Sequence, residues 1–378
     1  MKRVKRRHVA FAVAAAAVLA AFVVPSLSVG ASQGGTLKMI AWDGYLDAKW
    51  VNPFEKQSGC KIQGKVAGSS SEMVSLMRQG GGSQYDMVSA SGDASLRLIY
   101  GGYVQPVDVS KVPEWKQFHG PFKSPPNNTV DGKHYGISLQ FGPNTLLYRT
   151  DKIKNIGNSW AAIYNPKYKG KLTVPDNAIQ IADAALYLMK TKPSLGIKDP
   201  YELNKTQFDA TVSLLKQQKK LVKKYWTGSG DNAQLIKSGD AWLGPSWPLT
   251  TGSLLAAKVP VREFIPKEGA TGWLDTWMLS AKSKNTDCAY KWYRYISSPK
   301  VQALQGVTWG ETPVNSKACP YMNKLSKGSC KIYHAAEPLA YYRSLYFWKT
   351  PVPDCGNGKK DCMDFSKWEN AWTEIKAS

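Results

Sequence analysis

The sequence predicts an α/β protein of two lobes, and three observations point there. Short β-compatible runs alternate with amphipathic helical runs, as they do where strands of a mainly parallel sheet are joined by covering helices. At 378 residues the chain is long for one hydrophobic core. A hydrophobic fraction of 43% is that of a packed protein and excludes wholesale disorder.

Residues 1–31 stand apart from that fold. Lys2, Arg3, Lys5, Arg6 and Arg7 precede the apolar run Val9 to Val24, and then come Pro25 and the small-residue site Val29-Gly30-Ala31. This is the layout of a secretory signal peptide with cleavage before Ser32; the small residues favour it over a membrane anchor. No Cys stands at the cleavage point to carry a lipid, and no later stretch is long and apolar enough to span a bilayer, so a soluble periplasmic or secreted chain is expected. Losing those five basic residues takes the formal net charge from +22 to +17. The remaining Lys are spread along the chain, and the densest run, Lys216–Lys224, reads as a solvated helix face. With export, this excludes nucleic acid as a partner.

Six Cys in an exported chain point to disulfides. Cys319/Cys330 and Cys355/Cys362 are near enough to close small loops, a pairing that leaves Cys60 with Cys288. A metal site is the competing use, but there is no CxxC, and His8, His119, His134 and His334 are dispersed.

The elements follow in order. TLKMIAW (36–42) alternates as a strand ending at Trp42, a helix follows from Ala48 to Gln57 with Gly59 as its stop, and Cys60–Val66 is the next strand. Residues 71–79 are helical through Met73, Leu76 and Met77, and Gly80–Gly82 ends them as a turn. YDMVSAS (85–91) is a short buried strand, with Leu96–Tyr100 helical beyond it. NTLLYR (144–149) and LTVP (172–175) read as strands and residues 180–190 as a helix. Phe208, Val212, Leu215, Val222 and Tyr225 mark the inner stripe of a longer helix at 3.6 spacing. Gly228-Ser229-Gly230 reads as a linker turn. AWLGPSW (241–247), VREFIP (261–266) and the alternating WLDTWMLSA (273–281) are strands, and Cys288–Ile296 is a helix. The Tyr-, Trp- and Pro-rich tail ends amphipathically at Trp368, Trp372 and Ile375.

There is no GxSxG, HExxH, phosphate loop or paired His, and nothing calls for a cofactor. What recurs is an aromatic or acidic residue at a strand end: Trp42, Asp43 and Tyr45 after the first strand, Asp93 after YDMVSAS, Trp247 after the 241–247 strand, and Trp273 and Asp275 opening the 273–281 strand. In open α/β sheets ligands bind at strand ends. An aromatic face attracts a cation and a carboxylate adds a charge-assisted hydrogen bond, so this set suits an amine. The competing reading of each Trp is core packing.

Over most of the mature chain the sequence resembles the bacterial periplasmic spermidine/putrescine-binding proteins, solute receptors of ABC importers. The resemblance is carried by AWDGYL, QYDMVSASGD, NSWAAIYNPKYKGKLTVPDNA (158–178), GDAWLGPSW with IPKEGATGWLDTW (239–277), and GETPVN (310–315). It implies a two-lobed periplasmic-binding-protein fold of type II-like topology, with lobes joined by crossing strands at a hinge, near Leu139–Asn144 and Ala270–Asp275. Lobe 1 would then be 32–140 plus 270–315, lobe 2 would be 141–269, and 316–378 a disulfide-containing C-terminal segment. The resemblance makes Trp42, Tyr45, Trp247 and Trp273 aromatic ligand contacts and Asp275 the carboxylate that grips an amino group. Where the family places acidic residues this chain has Asn177 and Gln180, and where it places aromatic ones, Asp93 and Glu311.

The reading is thus a monomeric receptor, not an enzyme, with a small amine-containing solute and an inner-membrane ABC permease as partners. The solute is a polyamine or a related amine, or alternatively an amino-acid derivative or opine. The other readings are a secreted hydrolase using two of the carboxylates and a ferric-ion receptor using Tyr341-Tyr342.

Overall fold

The computed structural model describes residues 34–355 and 358–378, so the leader read at 1–31 lies outside the described residues. Among those residues no helix is long and apolar enough to cross a membrane. Strands β1 (Thr36–Ala41), β2 (Lys61–Val66), β3 (Met87–Ala90) and β4 (Val104–Gln105) come first, then a small hairpin, β5 (Thr129–Val130) and β6 (Lys133–His134), and then β7 (Ile137–Pro143). A second group follows: β8 (Thr145–Arg149), β9 (Leu172–Pro175), β10 (Val222–Trp226), β11 (Leu243–Ser246) and β12 (Val261–Phe264). β13 (Ala270–Ser280), β14 (Thr312–Pro313) and β15 (Leu345–Phe347) complete the set.

The described strands form two large sheets, one to each lobe. The first has the order β14-β7-β13-β3-β1-β2, with β4 and β15 also paired to β13; the second has the order β10-β9-β11-β8-β12. β1 lies parallel to both β2 and β3, so the chain must cross back over the sheet between them. Helices Ala48–Ser58 and Ser70–Arg78 make those crossings. Asp47 caps the first, accepting from the Lys49 backbone N–H at 2.8 Å, and Gly59 ends it at φ 74°.

The sheets are mixed where the sequence suggested mainly parallel ones. β13 runs antiparallel to β3 and β7, because it enters the first lobe from the cleft, where β3 ends. All eleven of its residues are buried, as befits a strand covered on both faces. The pairing slips between Leu274 and Thr276, where Leu139 and Gln140 of β7 lie opposite the single residue Asp275.

Only Asn144 separates β7 from β8, so the first crossing is abrupt. The second lies between Phe264 and Ala270. The C-terminal segment divides: β15 pairs with β13 in the first lobe, while Trp348 and helix Phe365–Ala377 pack into the core of the second.

The stripe read through Phe208 to Tyr225 breaks in two. Helix Lys205–Lys219 ends and the chain turns into β10, where Val222 and Tyr225 pair with Leu172 and Val174 of β9. The Lys216–Lys224 run is therefore shared between a helix and a strand. Two apolar residues three apart suit either element, and a parallel partner decided it. Gly228-Ser229-Gly230 is no linker; it opens helix Ser229–Ser238.

The six Cys pair as Cys60–Cys288, Cys319–Cys330 and Cys355–Cys362. The first closes a loop of 228 residues, the last a loop of seven. Chain-entropy arguments make the long bridge worth about 5 kcal/mol and the short one roughly 2 kcal/mol. Urea unfolding of Cys60→Ser/Cys288→Ser is expected to show the larger loss, and of Cys355→Ser/Cys362→Ser the smaller.

Candidate functional site

The ends of β1, β3 and β11 and the start of β13 face one another across the cleft and bring the predicted residues together. Trp42, Asp43 and Tyr45 come from the loop after β1, Trp247 follows β11, Trp273 and Asp275 lie on β13, and Glu311 precedes β14. With Ser91, Leu249 and Trp348 they line a cavity of about 30 Å³. The set holds three carboxylic acids and no Lys, Arg or His.

The aromatic walls form a connected series. Trp247 meets Trp42 edge-on at 6.0 Å, Trp273 at 5.9 Å and Trp226 at 4.7 Å, and Trp273 meets Trp348 at 6.0 Å. Tyr45 stacks on Trp309 at 4.4 Å, and its carbonyl accepts the Trp50 indole N–H at 2.9 Å. Gly142 permits the crowding: a Cβ there would lie 2.9 Å from the Trp273 ring and 3.3 Å from Glu311 Cγ.

Asp275 is 2% exposed and Glu311 5%. Tyr45 Oη donates to Asp275 Oδ2 at 2.5 Å, and Ser91 Oγ donates to Oδ1. These donors favour the carboxylate, but desolvation outweighs them and pushes Asp275 up to about 7. Burial, then the charge of Asp275, raises Glu311 well above the usual carboxylate range. Its Oε2 is buried and makes no hydrogen bond of good geometry, although the Trp273 indole lies near enough to offset part of that rise. Two desolvated acids side by side, one with an open acceptor, are suited to a buried cation.

Asp43 joins the lobes beside this cavity. Its Oδ2 accepts from Ser229 Oγ at 2.6 Å and more distantly from the Gly230 N–H at 3.4 Å. A carboxylate at the N-terminus of helix Ser229–Ser238 meets unpaired N–H groups and the positive end of the helix dipole.

Three predicted residues lie elsewhere. Asp93 is buried at the start of helix Gly92–Tyr100, accepting from Ser70 Oγ at 2.8 Å, with Arg97 as its neighbouring charge. It stands behind the site, where its charge adds to the upward push on Asp275. Asn177 is turned into its own loop, its Oδ1 accepting the Ile179 N–H at 3.2 Å. Gln180 opens helix Gln180–Thr191 beside Asp183. None of the three lines the cavity. Tyr341 and Tyr342 are packing residues, stacked on His334 at 3.8 Å and on Phe347 at 4.3 Å.

Ser91, Leu249 and Trp348 were not singled out from sequence. Ser91 follows β3 and Trp348 follows β15, so both carried the strand-end signal. The hinge was missed as a polar cluster: Asn144 Nδ2 donates to Thr271 Oγ1 at 2.9 Å and to Asp183 at 3.2 Å, and its Oδ1 accepts the Trp247 indole N–H at 3.2 Å.

Residues 49–326 match the family model described as bacterial extracellular solute-binding protein. The chain is 27% identical to the putrescine-binding periplasmic protein PotF of Escherichia coli, over 95% of this chain and 96% of that one. A putative spermidine/putrescine ABC transporter structure from Listeria monocytogenes superposes with a TM-score of 0.75 at 22% identity, covering 90% of this chain and 98% of the other. The binding protein MotA of A. tumefaciens, solved with glucopine, superposes with a TM-score of 0.70 at 16% identity, covering 90% and 99%. Likeness at that identity speaks for the fold alone, while the family match spans most of the sequence: the chain belongs to the bacterial extracellular solute-binding proteins.

Proposed function

We propose that this protein is the periplasmic receptor of an ABC importer and binds an amine solute of the polyamine class or a close relative. One observation carries the reading: a cavity at the lobe junction walled by Trp42, Trp247, Trp273 and Tyr45, with Asp275 and Glu311 in it and no basic side chain lining it. An ammonium there meets aromatic faces, each worth about 0.5–2 kcal/mol, and two carboxylates. A zwitterionic amino-acid derivative or opine would set its own carboxylate among three acids. The PotF relative, named for putrescine, supports the amine reading.

Binding and closure would act together. Trp42 and Trp247 come from different lobes and meet edge-on, so a cation held against both keeps the cleft closed, and the Asp43–Ser229 bond joins the same two lobes. The closed form is the one presented to the permease. The receptor works as a monomer, exported by the leader.

Four outcomes are expected, two from calorimetric titration with putrescine and short alkylamines, one from thermal melting and one from dissociation kinetics. Asp275→Asn weakens binding by roughly 2–5 kcal/mol, as for a buried charge pair that loses one partner. The amine-free variant melts no lower than the parent at pH 8, because it no longer holds a desolvated charge. The pH dependence has a definite sign. With Asp275 raised to about 7, the amine-free protein holds that proton below pH 7, and an ammonium must displace it. Affinity therefore falls by up to about tenfold per pH unit below 7, and because Glu311 is raised as well, it keeps rising above that point. Asp43→Ala is expected to speed dissociation about threefold to tenfold, the worth of a lost helix cap.

A further inference from the structure

The amine reading leaves open how long a solute the site accepts, and the seat of Trp348 in the cavity wall bears on this. Trp348 lines the cavity against Trp273 and is held from several sides. Its backbone N–H donates to the Gly272 carbonyl at 2.8 Å and its indole N–H to Thr271 Oγ1 at 3.4 Å. Gly92 packs so tightly on its carbonyl that an added Cβ would sit 1.8 Å from that oxygen. Behind the indole, Thr271 Oγ1 donates to Asp183, beside Gln180. Asp183 also accepts from Asn144, so both its oxygens are engaged. The cavity itself is small, at about 30 Å³.

The acid groups differ in how far they are already engaged. Asp275 already accepts on both oxygens, from Tyr45 and from Ser91. Glu311 Oε2 is a buried carboxylate oxygen that makes no hydrogen bond of good geometry. Asp43 is engaged at the rim by Ser229 and Gly230. The enclosed part of the site thus offers a strong open acceptor for one N–H donor, with aromatic faces around it.

We propose that the cavity reads a single ammonium group on a compact body, and that Trp348 is the residue that sets the limit on solute length. The inference rests on the amine-receptor reading and narrows it: short alkylamines are bound ahead of long polyamines. Glu311 takes the N–H, Asp275 supplies the second negative charge, and Trp348 stops the chain that follows.

The test is calorimetric titration of the mature protein with propylamine, putrescine and spermidine. Propylamine is expected to bind at least about tenfold tighter than spermidine, and Trp348→Ala to narrow that ratio by about tenfold through a gain for spermidine. Trp348→Leu keeps an apolar side chain in the second core and is expected to move the ratio the same way; it is read in place of the alanine variant if that one does not fold. Spermidine binding the parent as tightly as propylamine, or a ratio unmoved in the folded variants, overturns the length limit and leaves the amine-receptor reading standing. Failure of all three amines to bind overturns that reading and the inference with it.

Discussion

A carboxylate held out of water with no positive side chain beside it is the constraint around which this molecule is arranged. Asp275 is enclosed by tryptophans from both lobes and receives two hydroxyl donors, from Tyr45 and Ser91. Those donors go only part of the way to replacing water, since burying an ion costs several kcal/mol even after relaxation. Glu311 alongside makes the arrangement harder to sustain, because each charge opposes the other. Such a site gains from a cation and from little else. Its aromatic walls exclude water from the acids, and their faces are of the kind that attracts a cation.

The rest of the fold keeps these groups in place while leaving the lobes separate. Each sheet has its own core, and the chain crosses at Asn144, between Phe264 and Ala270, and again near Trp348. Asn144, Thr271 and Trp348 from the three crossings are joined by hydrogen bonds, with Asp183 as a shared acceptor. Burial pushes Asp183 up to about 6, so the hinge contains a desolvated acid of its own. The hinge also reaches the cavity wall directly, through the Trp247 indole bonded to Asn144. Movement of the lobes and alignment of the aromatic box are therefore mechanically linked.

Much of this was legible in the residues. The succession of strands and helices through the first lobe follows from period-two and period-3.6 patterns, with Gly59 as a stop. The strand-end positions of Trp42, Tyr45, Trp247, Trp273 and Asp275 could be located because α/β sheets place ligands there. Local pattern failed where a distant segment decided the outcome. Val222 and Tyr225 suited a helix until β9 offered a parallel edge. Ser229 read as part of a linker because the carboxylate at its helix end belongs to Asp43, 186 residues away. Asp93 was acidic and followed a strand, yet Ser70 and Arg97 draw it into the first lobe.

The sequence by itself determined the chemistry of the site and the elements that bear it, since residue type and short-range spacing are properties of the chain. Only the tertiary structure decided which of those residues share one cavity. The bulge opposite Asp275, the seat of Trp348 between the hinge and the cavity, and the hold of Ser70 on Asp93 depend on contacts between segments far apart in the chain. Packing and desolvation act through space, and no local period records them.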